Sequence, residues 1–136
     1  MADAVTSQTI QDGGRRAIMK FTNVSDGTGE SAVTKVDVSA LTADPKTGKA
    51  CSSVNVEKIT YSNVGFGVKI EFDATANVLV VELPENYADC LDYSDFGGIP
   101  NNAGAGVTGD IAFSTVGTAT AGDSYSVVLS LIKNYA

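Results

Sequence analysis

Apolar and polar residues alternate with period two through most of this chain, and in no helix-length window do apolar residues recur at i, i+3, i+4 and i+7. Such a pattern builds antiparallel sheets and excludes both a helical bundle and a parallel sheet with helical crossovers. The clearest strand is 67–73, where Val68, Ile70 and Phe72 share one parity and Lys69, Glu71 and Asp73 the other, as a sheet with one wet face requires. The run 77–83 is apolar on both parities, which predicts a central strand or one lying in a subunit contact. Between the two, Ala74-Thr75-Ala76-Asn77 is short enough to make them a hairpin. Further strands are expected at 4–10, 16–24, 32–39, 53–61, 107–116 and 124–133, bounded by Gly, Asn, Asp and Ser. Within 53–61 the apolar parity changes from Val54 and Val56 to Ile59 and Tyr61 across Glu57-Lys58, the mark of a β-bulge or of a short kink. The last strand is the most hydrophobic and should sit deep in the sheet.

These strands predict an all-β fold, an antiparallel β-sandwich of about eight strands, with a jelly roll as first choice among sandwiches and barrels. At 136 residues one core accounts for the chain. Residues 1–12 are expected as an extended polar arm, with Val5 and Ile10 too sparse to bury a face, and 13–136 as a single sandwich domain. The segment 84–106 reads as one long connection, of the kind that is functional, docked on a partner or mobile. Its Tyr87, Leu91, Tyr93, Phe96 and Ile99 must bury against the sandwich or against a neighbouring subunit.

Chemistry is narrowed by what the chain lacks. There is no His, which removes the commonest general base, nucleophile partner and zinc ligand together. No Ser sits in a Gly-x-Ser-x-Gly elbow, and the pairs Asp92/Asp95 and Glu71/Asp73 are carboxylates that are near one another in sequence with no visible cleft. We therefore expect no enzyme and no cofactor. Glu85, Asp89, Asp92 and Asp95 are dense enough to suggest a hard cation, but their spacing departs from an EF-hand loop, and a solvated acidic loop without metal is expected. The glycine-rich 97–106 lacks the Lys-Ser/Thr of a phosphate loop and reads as turns, as does Asp26-Gly27-Thr28-Gly29-Glu30, a tight hairpin. With 16 acidic against 9 basic residues and a net charge of −7, the chain has no positive field for nucleic acid; Arg15-Arg16 should face acidic neighbours or another subunit. No apolar run is long enough to span a membrane, and the start has no signal-peptide pattern, so synthesis in a cytoplasm is expected. For the same reason the sequon Asn23-Val24-Ser25 is discounted, and Cys51 and Cys90 are expected as unpaired thiols.

Three stretches carry a resemblance: residues 1–13, 19–30 (Met-Lys-Phe-Thr-Asn-Val-Ser-Asp-Gly-Thr-Gly-Glu) and Asp95-Phe96-Gly97-Gly98-Ile99-Pro100-Asn101-Asn102-Ala103-Gly104 through Gly109-Asp110-Ile111. Together they resemble small structural proteins of tailed bacteriophages, over nearly the whole chain. The resemblance implies a virion component made in the host cytoplasm. A small acidic sandwich with an extended arm looks like a capsid decoration, or cement, protein, whose partners would be the major capsid protein and further copies of itself in a trimer or dimer. In that setting Val5, Thr6 and Ile10 of the arm, and Phe96, Ile99 and Pro100 of the long connection, are the expected contact residues: an arm can extend a partner's sheet while apolar loop residues bury. The alternatives are a tail-tube, neck or fibre-associated subunit, and a glycan-binding surface module built on the Tyr and Asp of 87–95.

Overall fold

In a computed structural model, which describes residues 4–27, 29–116 and 120–135, the alternation becomes two antiparallel sheets facing each other. The strands in chain order are β1 (Ala4–Asp12), β2 (Arg16–Val24), β3 (Val33–Val36), β4 (Cys51–Val64), β5 (Gly67–Phe72), β6 (Val78–Leu83), β7 (Ala88–Asp92), β8 (Ile111–Val116) and β9 (Ser124–Tyr135). The larger sheet runs β1-β2-β9-β4-β7 and the smaller β3-β8-β5-β6. Setting β1 aside, the pairs β2–β9, β3–β8, β4–β7 and β5–β6 are nested one inside the next, which is an eight-stranded ladder rolled into two Greek keys: a jelly roll. Among the described residues no helix is long and apolar enough to cross a membrane.

The core follows from parity. On β5, Val68, Ile70 and Phe72 are fully buried while Lys69 and Glu71 look outward. On β9, Tyr125, Val127, Leu129 and Leu131 face inward between β2 and β4, so the last strand is the central one of its sheet, as its hydrophobicity requires. Phe21, Phe113 and Tyr125 stack edge to face across the two sheets, with centroids 5.3 and 5.8 Å apart.

Four expectations are corrected. Residues 4–12 form no free arm: a short turn, with Gly13 N–H donating to Arg16 O (2.9 Å), folds them back on β2 from Ala4↔Val24 to Asp12↔Ala17. A local hairpin costs little loop entropy and satisfies half of the strand's backbone groups. Second, the 77–83 run is an edge strand of the smaller sheet and not a central one. The register shift between Val81 and Leu79 opposite Ile70 and Glu71 makes Val80 a bulge, and this puts Val80 and Val81 against the core while Leu79 points out, 49% exposed. Third, 84–106 is not one connection, because it contains β7, one of the nine strands among the described residues. Fourth, the 26–30 turn joins strands of different sheets rather than closing a hairpin, and Glu30 is drawn inside, where Lys35 donates to it at 2.6 Å. The bulge expected at Glu57-Lys58 is present, between Val56 and Lys58. The 74–77 hairpin is present as well, with Asn77 Oδ1 accepting from Ala74 N–H.

One buried cation ties the chain ends to the middle. Lys133 Nζ, on the inward parity of β9 and fully buried, donates to the Asp12 carboxylate, to Gly13 O (2.6 Å) and to Thr42 O (3.1 Å). It fastens the β1–β2 turn and the segment before β4 onto the central strand.

Candidate functional site

The expected contact residues fall on the two opposite edges of the larger sheet. Val5, Thr6 and Ile10 lie on β1. Val5 has core-facing parity, opposite the buried Asn23, yet it is 44% exposed, because the smaller sheet has no strand beneath β1. Thr6 shares a hydroxyl hydrogen bond with Thr22. Ile10 is the bulge residue between Thr9 and Gln11, and the bulge leaves it 53% exposed.

The other group follows β7. Tyr93 N–H donates to Glu57 O, and a single 3-10 turn, Ser94–Phe96, ends at Gly97. Gly98 follows at φ +90°, where an added Cβ would stand 2.9 Å from Val56 O, so only glycine lets the loop lie this close to β4. Ile99 and Val56 then exchange backbone hydrogen bonds (2.8 and 3.0 Å), and the Ile99 side chain packs on the core. Ile99 thus anchors the loop more than it faces outward, while Pro100 is exposed and Phe96, 65% exposed, stands 6.1 Å from the Tyr93 ring. Of the aromatic and apolar groups of 84–106, Leu91, Tyr93 and Ile99 are absorbed by the core; Tyr87 and Phe96 are left outside. The structure does not bring the two groups together. Four interstrand spacings separate β1 from β7, roughly 19 Å.

Between these edges the outer face of the sheet holds a shallow depression of about 360 Å³, floored by Ile18 and Val128. Its rim is the bulge residue Glu57, whose carboxylate accepts from Arg16 at 2.9 Å and from Ser130 Oγ at 3.1 Å. Arg16 therefore meets an acidic neighbour. At this depression the Arg16 and Glu57 charges are thus paired with each other.

The acidic loop disperses in the same way. Asp92 accepts from the Ser94 hydroxyl and amide, which hold its carboxyl below the ordinary range, and lies 3.9 Å from Lys58. Asp89 accepts from Cys90 N–H. Among the described residues no group of three or more His, Cys, Asp or Glu comes together as a metal site. Asp110 is different: burial, and behind it the charges of Asp37 and Asp73, push its carboxyl up, while Val38 N–H donates to it at 2.9 Å. It serves to pin the chain after β3. Cys51 is buried and Cys90 exposed, both as free thiols. Asn23 of the sequon is fully buried.

The sequence pattern did not mark β7, the outward turn of Leu79, or the depression. No family model matches this chain, and no curated protein matches it. Among solved structures, a cupin superfamily protein from Desulfitobacterium hafniense is similar over 98% of this chain and 82% of its own length, with 11% sequence identity and a TM-score of 0.38.

Proposed function

We propose that this chain is a non-enzymatic virion structural protein, a capsid decoration protein that binds the major capsid protein on the head surface and stabilises its lattice. The observation that supports this reading is the placement of exposed apolar residues on two opposite edges of one rigid sheet, Val5 and Ile10 on β1 and Phe96 with Pro100 beyond β7. A protein that cements a lattice must hold two neighbours at once, capsid subunits or further copies of itself, and a domain with contact residues on both edges does so without moving parts. Free strand edges and protruding aromatics are recurrent means of protein attachment. The paired charges of the depression, the dispersed carboxylates and a sequence without His suit a protein that binds and does not catalyse.

The test is co-sedimentation of the purified protein with expanded heads that lack it. Saturable binding, lost on substituting Phe96→Ala or Ile10→Asp, is the expected result. Assembly into rings or tubes in the absence of heads, or retention on polysaccharide with no affinity for heads, would overturn the reading in favour of a tail or glycan-binding role.

A further inference from the structure

We propose that β1 is the seam of a homodimer, in which the free edge of one copy pairs antiparallel with the same edge of a second and the two larger sheets become one of ten strands. The two sheets end in four edge strands, and each carries an ionised side chain: Lys35 on β3, Glu82 on β6, Asp89 and Asp92 on β7, and on β1 only the terminal Asp12. β1 carries none from Val5 to Gln11, and no proline. For chains of net charge −7, like-charge repulsion opposes the approach of a second copy, and along β1 the seven residues from Val5 to Gln11 add no charge of their own, the strand's carboxylate standing at its far end, Asp12, where Lys133 pairs with it.

The edge is also open. Natural proteins protect such edges with charge, proline or bulges. On β1 such devices, the bulge at Ile10 and the charge of Asp12, stand together at one end, which leaves Val5 to Thr9 regular and paired residue for residue with Asn23 to Met19. Every second residue of that stretch turns its N–H and C=O to the unpaired side.

A second observation concerns the inner face. Val5, Ser7 and Thr9 have core-facing parity but overhang the smaller sheet and are exposed. A two-fold axis perpendicular to the sheet preserves its faces, so the overhangs of both copies meet on one side. Pairing centred on Thr6 sets Val5 opposite Ser7 of the second copy, and pairing centred on Ser7 sets it opposite Thr9; either covers the valine. The contact is isologous and closes at two copies, so it gives a dimer and not a fibre.

This deepens the decoration reading and rests on it in one respect, the division of labour: β1 holds the second copy, and the Phe96 edge faces the lattice. Nine interstrand spacings would then separate the two Phe96 tips, roughly 43 Å, and two weak contacts act together through effective concentration.

The dimer itself belongs to the isolated protein and is tested without heads. Sedimentation velocity from micromolar to submillimolar concentration should give twice the 14.0 kDa chain mass. The variant Ser7→Lys/Thr9→Lys, which alters exposed positions only, should halve that mass. Hydrogen exchange of the wild type should show amides of 5–9 slowing as concentration rises. A wild type that stays monomeric throughout, a dimer that survives both lysines, or exchange in 5–9 that is independent of concentration would overturn the proposal, and the last decides even where the variant fails to fold. A monomer that binds heads would sink the seam alone; a dimer with no affinity for heads would sink the decoration reading alone.

Discussion

Replacing Lys133 by Met should be the most destabilising conservative change at a charged position. The thioether fills the aliphatic part of the site, so the loss is polar. One charge-assisted bond to Asp12 disappears, of the kind that contributes about 1.5–3 kcal/mol, and the Gly13 and Thr42 carbonyls lose a donor at about 1 kcal/mol each. Against this, the cost of burying an ammonium is removed. Asp12 is not stranded, because its side chain is 20% exposed and keeps the Thr42 amide and hydroxyl at 2.9 and 3.0 Å. The balance is about 3 kcal/mol. For a chain of this length that lowers Tm by about 9–15 °C. The assay is urea denaturation of wild type, Lys133→Met, Asp12→Asn and the double variant at pH 7. The cycle should be non-additive, since the second substitution removes a bond already lost. Acid should narrow the gap. Burial raises the Asp12 pKa, but the bonds from Lys133 and Thr42 outweigh it, and the carboxyl lies below the ordinary range in the folded protein. Its stabilisation is therefore complete above the unfolded value, about pH 4, and is lost as pH falls through the lower folded value. A loss under about 1 kcal/mol, or an additive cycle, would refute the claim that this ammonium ties the turn to the central strand.

Three further outcomes are expected. Gly109→Ala should destabilise by about 1–3 kcal/mol in the same urea assay, because the residue has φ +86° and a Cβ there would stand 2.0 Å from Ser52 O. Phe96→Ala should leave the unfolding free energy in urea within about 0.5 kcal/mol of wild type while weakening head binding tenfold or more, which separates its surface role from any part in the core. A thiol reagent should modify Cys90 at once and Cys51 only after unfolding, since Cys51 is 4% exposed and burial raises its thiol.

The jelly roll was legible because parity is a local signal: Val68, Ile70 and Phe72, or Tyr125 through Leu131, name their buried face without knowledge of partners. Even the Glu57 bulge showed itself, as a parity change. What failed were inferences that needed pairing. The doubly apolar 77–83 run has two explanations, a covered strand and a bulged edge, and only the register opposite Ile70 separates them. β7 buries little beyond Leu91, so its strand character rests on backbone pairing to β4 rather than on its side chains. Val5 and Ile10 were legible as too sparse to bury a face, but their docking on β2 was not, since a polar strand in a hairpin and a polar arm have the same composition. At the site, Phe96 and Pro100 were separable from Ile99 only once the Val56 bridge was known.

The most direct test of the central claim is cryo-electron microscopy of the intact particle, with this jelly roll fitted to unassigned density. The expected result is density on the outer head lattice, with the Phe96 edge against the major capsid protein and β1 against β1 of a second copy. Density for this fold confined to the tail, neck or fibres would contradict it.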